Sequence, residues 1–398
     1  MPEPPVDPQE RRDARRAARA RAVRRRRITA VVVLAAVVAG VVAALAVAGG
    51  GGSSPTAATA PSAAAPTAPA TTAAPPAAGP PKGTVRVAAV GDIVMGTPDY
   101  GLPPDGGASF FSSVAPLLTG NVVLGNLEGT LATGGSSKCG AGSSNCYAFR
   151  TPPSYARWLK RAGFTVMNLA NNHAMDFGPD GQRQTVAALN RVGILHTGRP
   201  GEVARPRVHG LRVALLGFAP YSWADPLTDI PKARRIVARA AKGADIVIVM
   251  AHAGAEGSDA TRVRPGTEYF LGENRGDAEA FAHAAVDAGA DLVVMSGPHV
   301  MRGMEFRKRR LIAYSLGNFA GYKVFGLGGT LSTSGVLQVT LAGDGRFLSG
   351  RLRPTQLVGP GTPAPGGNAV SLVGQLSRED LGATAARIGA DGTIRRPS

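Results

Sequence analysis

Asn168-Leu-Ala-Asn171-Asn172-His173-Ala-Met-Asp176-Phe-Gly178 follows the start of a short apolar run and sets amide, imidazole and carboxylate groups side by side. Packing alone does not call for such a cluster. Four further segments share the design of an apolar run that ends in polar, ligand-type residues. They are Val-Ala-Ala-Val-Gly91-Asp92, Val-Val-Leu-Gly-Asn126-Leu-Glu128, Ile-Val-Ile-Val-Met-Ala-His252-Ala-Gly-Ala-Glu256 and Leu-Val-Val-Met-Ser296-Gly297-Pro298-His299. Open α/β folds gather their chemistry at the carboxyl ends of strands, so five such endings point to one shared site.

Working outward, the hydrophobic pattern alternates strands with helices. It predicts strands over 84–90, 122–124, 164–169, 211–218, 246–250 and 292–295, and helices over 110–118, 153–162, 179–192, 232–241 and 277–288. After residue 295 the pattern changes. Runs at 304–306, 311–314, 335–341 and 347–353 read as antiparallel strands joined by turns such as Gly343-Asp344-Gly345. An α/β first part and a hairpin-rich end imply two packed sheets with helices outside them. Residues 356–398 read as a Pro/Gly-rich extension that wraps loosely and carries one short helix, with Ser377 as its cap.

The first eighty or so residues have a different character. Residues 1–27 form a basic tail ending in Arg24-Arg25-Arg26-Arg27, and 28–48 are apolar without a charge, long enough to span a bilayer. A cleaved signal peptide is the competing reading, but the basic region is long and the apolar run exceeds a usual signal core. The positive-inside rule then keeps the tail in the cytoplasm and places the rest outside the cell membrane. Residues 49–83, rich in Ala, Pro and Thr, read as a disordered stalk.

Of the formal charge of +17, the tail supplies +6 from ten Arg against four acidic residues, which leaves +11 on the exported side. That surplus is either a solvated basic surface or a preference for anionic polymers, and no nucleic-acid motif accompanies it. The two cysteines, Cys139 and Cys146, bracket a Gly/Ser loop, which in an oxidising compartment favours a disulfide over a metal pair.

Asp92 follows a glycine at a strand end, which leaves its carboxylate exposed at the sheet edge. Asn126 and Glu128 are two apart, so a continuing strand points both to one face. Asn172 and His173 offer an amide oxygen and an imidazole, and His252 and His299 offer two more imidazoles. Mixed oxygen and nitrogen donors suit manganese, iron, zinc or nickel better than calcium, as one ion or two. His173, Asn172 and His252 are the catalytic candidates. Asn126, Asp176, Glu256, Ser315 and Asn318 are the substrate-contact candidates. Each residue alone has an ordinary reading: Gly-Asp is usually a turn, and Asp176 could simply cap the helix near Pro179. The coincidence decides, since three of six histidines sit at apolar strand ends while His196, His209 and His283 have loop or helix settings.

Gly91-Asp92, Asn126-Leu-Glu128, Asn168 to His173 with Asp176 and Gly178, His252-Ala-Gly-Ala-Glu256, and Pro298-His299 through Tyr314-Ser-Leu-Gly-Asn318-Phe319 together resemble the ordered motifs of the CapA family of capsule-synthesis proteins. The resemblance covers residues 84–355. It implies a link to poly-γ-glutamate biosynthesis or export, and a calcineurin-like metallophosphoesterase fold, a four-layer α/β/β/α sandwich. It also implies that Asp92, Glu128, Asn172, His173, His252 and His299 lie at or near a metal centre, with Asn126 beside it. One departure stands out: the family often has His-Pro-His where this chain has Gly297-Pro298-His299. An Asp-x-His after the first strand, used by many metallophosphoesterases, is also missing.

The expected function is a membrane-anchored extracytoplasmic protein that handles an anionic surface polymer, beside capsule-assembly membrane proteins, through metal-dependent hydrolysis or transfer. A phosphatase or phosphodiesterase acting on wall phosphoesters is the enzymatic rival. A polymer-binding assembly subunit on the same scaffold is the non-enzymatic one. Phosphate-binding Gly-x-x-x-x-Gly-Lys, His-Glu-x-x-His and Gly-x-Ser-x-Gly motifs are all missing, which argues against other catalytic classes.

Overall fold

The computed structural model describes residues 83–140 and 146–397. The expected tail, membrane span and nearly all of the stalk lie outside the described residues. Among the described residues no helix is long and apolar enough to cross a membrane.

The chain begins with β1 (Thr84–Val94), β2 (Val122–Leu127), α1 (Ala156–Ala162), β3 (Val166–Asn168), α2 (Gly178–Arg191) and β4 (Leu195–Thr197). It continues with β5 (Leu211–Ala219), α3 (Ile230–Lys242), β6 (Ile246–His252), α4 (Ala278–Asp287) and β7 (Leu292–Ser296). The last part holds β8 (Met304–Arg307), β9 (Arg310–Ala313), β10 (Asn318–Gly321), β11 (Thr333–Ala342), β12 (Phe347–Val358) and α5 (Ala369–Leu381). The helices start and stop where local chemistry dictates. Asp229 accepts the Lys232 N–H at 3.0 Å to open α3, and Asp277 accepts that of Ala280 at 2.8 Å to open α4. Gly163, at φ 109°, lets the chain leave α1.

Two large sheets result. In the first, β12, β11, β1, β2, β3 and β4 are successive neighbours, with β1 to β4 parallel. In the second, β5, β6, β7 and β9 run parallel and β8 closes the edge antiparallel to β9. Side chains alternate across each strand, so every parallel strand must bury two faces. Val85, Val87, Leu124 and Val166 of the first sheet share one core with Leu215, Ile248, Met250 and Val294 of the second. The alternate positions Ala88, Val90 and Met167 meet Leu159 of α1 and Leu189 of α2. Leu216, Val249 and Val293 meet Val237 of α3 and Phe281 of α4. Helices therefore pack on the outer side of each sheet, and the two sheets face each other.

Three expectations change. Residues 110–118 form turns and a short 3-10 segment, Ala115–Leu117, instead of a helix. Pro116 lacks the N–H that a helix would need there, and the Ser112 hydroxyl turns back to the Ser109 carbonyl at 2.8 Å. Ser377 lies within α5, donating to the Val373 carbonyl at 2.6 Å and accepting the Met304 N–H at 2.9 Å. It ties α5 to β8 and caps nothing. The C-terminal segment is built into the first sheet, since Thr362–Pro365 and Thr393–Arg395 both pair with β12. The two prolines of Thr362–Pro365 are tolerated because that strand is a short edge strand.

Candidate metal centre

Strand register brings the polar endings together. Asp92 pairs with Asn126 across β1 and β2, Asn126 with Asn168 across β2 and β3, and Asp92 also with Asn318 of β10. His252 and Ser296 are opposite each other at the ends of β6 and β7. An amide ladder locks this row: Asn168 Nδ2 donates to Asn126 Oδ1 at 2.8 Å, and Asn126 Nδ2 donates to Asp92 Oδ1 at 2.8 Å. Asn171 Nδ2 adds bonds to Asn126 Oδ1 at 3.1 Å and to the Leu127 carbonyl at 2.9 Å. Gly91 is required here, because a Cβ would fall 1.9 Å from the Gly317 carbonyl oxygen, which accepts the Asp92 N–H at 3.0 Å.

At the centre of the row, ligand atoms of Asp92, Glu128 and His299 all lie within 4.8 Å of one another, and all three residues are buried. His299 Nδ1 is 3.2 Å from Asp92 Oδ2 and its Nε2 is 3.6 Å from Glu128 Oε1. Its backbone sits at φ 62°, a left-handed conformation that a non-glycine residue keeps only when its surroundings hold it. Asn318 Oδ1, 2.9 Å from His299 Nδ1, fixes the ring. His252 stands on the other side, 3.7 Å from Asp92 Oδ1 and 3.7 Å from Glu128 Oε1.

The electrostatics are those of buried carboxylates crowded together. Both carboxylate oxygens of Glu128 are buried without a hydrogen-bond partner among the described residues. Burial, with some repulsion from Asp92 and Glu256, holds the Glu128 carboxyl well above the usual range. Burial also opposes ionisation of Asp92, but the hydrogen bond and charge of His299, helped by His252, win and hold it at about 2. His299 shows the same contest: burial disfavours its charge, while Glu128 and Asp92 push it up to about 10. Burial keeps His252 neutral, well below its ordinary value. A divalent cation fits this donor set, because it would satisfy the orphaned Glu128 oxygens and offset two buried carboxylates.

The remaining candidates line the approach. His173 Nδ1 faces Asp176 Oδ2 at 2.8 Å, and Asp176 Oδ1 meets Lys138 Nζ at 2.6 Å. Asp176 thus orients His173 and also accepts the Phe149 N–H at 2.6 Å. Burial lowers the His173 pKa, so its ring is neutral with Nε2 as the acceptor nitrogen. Asn172 Nδ2 donates to Glu256 Oε1 at 3.4 Å, and its own Oδ1 is buried without a partner among the described residues. Ser315 is placed apart from this group: its hydroxyl accepts the Gly317 N–H at 3.2 Å within its own turn. A cavity of about 210 Å³ opens beside the centre, lined by Lys138, Tyr147, Asn172, His173, Glu256 and Arg275. Cys139 and Cys146 are joined by a disulfide at its rim.

Three charged residues of this region carry no motif in the sequence. Arg275 is almost fully buried, pairs with Glu256 and sets Nη2 3.2 Å from His252 Nε2. Lys138 neutralises Asp176. Arg302, also buried, grips Glu268 through two 2.7 Å bonds and so ties the His299 loop to the hairpin carrying Arg275. An isolated arginine in a polar loop reads as surface, and only tertiary contact distinguishes these. Gly297 has a structural reason: at φ 117°, a Cβ would lie 2.9 Å from the Ala253 nitrogen. An imidazole there would require the backbone to move.

Fold and site together define a mixed α/β protein of two stacked sheets whose parallel strands end in a buried carboxylate and imidazole group. The family model of the bacterial capsule synthesis protein PGA_cap matches residues 86–323, and the chain belongs to that family. The PGA biosynthesis protein CapA of Bacillus subtilis is 31% identical over 69% of this chain and 72% of its own length. The capsule biosynthesis protein CapA of Bacillus anthracis is 31% identical over 58% of each chain. Among solved structures, the NAD nucleotidase of Haemophilus influenzae aligns with a TM-score of 0.36 at 13% identity, over 72% of this chain and 54% of that one.

Proposed function

We propose that this chain is an accessory protein of anionic capsule-polymer synthesis that binds a divalent transition metal and acts as a metallophosphoesterase-type hydrolase or transferase on that polymer. The observation that carries the metal is Glu128, a buried carboxylate with no hydrogen bond to either oxygen, set between Asp92 and His299. The polymer comes from the family and from the printed roles of the two Bacillus relatives. Asp92, Glu128 and His299 would hold the ion, with His252 next to them. A divalent ion supplies Lewis acidity toward a phosphoryl or acyl oxygen. The chain's own residues do the rest. Asp176 keeps the His173 proton on Nδ1 and leaves Nε2 as an acceptor toward the cavity, while Asn172 and Lys138 can orient an anionic group entering it.

One observation favours a second reading, a binding subunit without turnover. The Arg275 guanidinium sits against His252 Nε2, where a second cation would be repelled. Location outside the membrane behind an N-terminal span belongs to the same proposal, supported by the arginine block and the uncharged run that follows it.

The test is elemental analysis of the purified full chain and of Glu128→Gln, alongside hydrolysis assays of poly-γ-glutamate and phosphoesters with and without chelator. Metal that co-purifies with the native chain and is lost in the variant is the expected result. Equal metal content in both would remove the site. Retained metal without any turnover would leave the binding subunit.

A further inference from the structure

A second concave surface lies away from the centre. The helices α1 and α2 cover the first sheet only over part of its outer side, and toward β12 that side is open. Side chains there fall in cross-strand rows. Arg86 of β1 is opposite Thr340 of β11, which is opposite Ser349 of β12, and Gln338 is opposite Arg351, which pairs with Thr393. These six residues line a groove of about 320 Å³, and no acidic side chain lines it. The Arg86 guanidinium has no ion-pair partner among the described residues. Arg351 pairs with Asp391 at 2.8 Å, the two side chains being 44% and 58% exposed, and donates to the Thr393 hydroxyl at 3.4 Å. So exposed a pair is worth little and its carboxylate is readily exchanged for another.

We propose that this groove is a holding site for the side-chain carboxylates of an anionic polymer, separate from the metal centre. The inference rests on the polymer reading above and deepens it. The occupant is a polycarboxylate chain, argued from charge complementarity: two arginines are spaced across three strands, and the hydroxyls of Thr340 and Ser349 stand between them. Neighbouring strands lie about 4.8 Å apart, so carboxylates on successive units of an extended chain can reach both arginines. Arg86 and Asp92 lie six residues apart on β1, about 20 Å along the strand, so the groove and the centre are separate places on the same strand. A site of this kind raises the local concentration of further segments at the centre.

The experiment measures binding of fluorescent poly-γ-glutamate to the full chain, its Arg86→Glu/Arg351→Glu variant and the Glu128→Gln variant, over a salt series. Metal content of each is measured in parallel. The expected result is a tenfold or greater loss of affinity and a flatter salt dependence in the arginine variant, with its metal content unchanged. The Arg86→Gln/Arg351→Gln variant, which keeps hydrogen bonding but not charge, should fall between. Unchanged affinity in both arginine variants overturns the groove. Loss in Glu128→Gln alone also overturns it and leaves the metal-centre reading standing. No binding by the native chain, with metal present, overturns both the groove and the polymer role but not the metal site. Stronger binding of polyphosphate than of polyglutamate overturns the carboxylate assignment.

Discussion

Glu128 shows how a single residue acquires meaning from its surroundings. Two residues after Asn126 it reads as one more polar group at a strand end. Folded, it is a buried carboxylate whose ionisation is opposed by burial and by its acidic neighbours. Its replacement by Gln should therefore raise the thermal stability of the metal-free protein, or leave it unchanged, while abolishing stabilisation by added metal. For the native chain that stabilisation is about 2.7 kcal/mol at a hundredfold excess of metal over Kd, read as a shift in melting temperature. A variant still stabilised by metal would place the ion elsewhere. Glu202 illustrates the opposite balance. Burial opposes its charge, but hydrogen bonds with His196 and Arg199 hold its carboxyl at about 2, below the ordinary 4.5. A depressed carboxylate contributes its stability above pH 4.5 and loses it as pH falls from there to about 2. The Glu202→Gln variant should accordingly show a shallower loss of melting temperature across that window. Equal slopes for variant and native chain would contradict the assignment.

At the scale of elements, the strands ran close to their hydrophobic patterns because the central parallel strands, such as β6 and β7, are buried on both faces. The sequence reading fell short where contact between elements decides. Residues 318–321 pair in parallel with the end of β1, a register that no local pattern announces. The same contact makes Gly91 sensitive. Gly91→Ala should destabilise by about 1–3 kcal/mol or more, because the obstructing atom is a backbone oxygen that cannot turn away. Gly140→Ala, with nothing among the described residues within 4 Å of the new methyl, should stay within about 0.5 kcal/mol, both measured by denaturant titration. Comparable effects at the two positions would refute the close approach. Gly297 belongs to this scale too, since its backbone conformation bars a simple exchange for His and makes that substitution a probe of strain instead of ligand number.

For the whole molecule, the proposed membrane span makes a prediction about location. If the proposed span at 28–48 follows the positive-inside rule, a reporter fused after Pro81 should be active only outside the cytoplasm. Cytoplasmic activity would overturn both the location and the proposed contact with an exported polymer. The family, the alternation of strands and helices, the polar endings and the pairing of Cys139 with Cys146 were all legible in the chain. Periodicity and turn chemistry are local properties, and the motifs lie in order along the sequence. The tertiary structure alone decided that the C-terminal segment joins the first sheet, that Arg275 stands against His252, and that Arg302 ties the His299 loop to a distant hairpin. It also decided that Glu128 is left without a hydrogen bond. Burial and partnership depend on what the rest of the fold brings within a few ångströms, and residues remote in sequence carry no local sign of it.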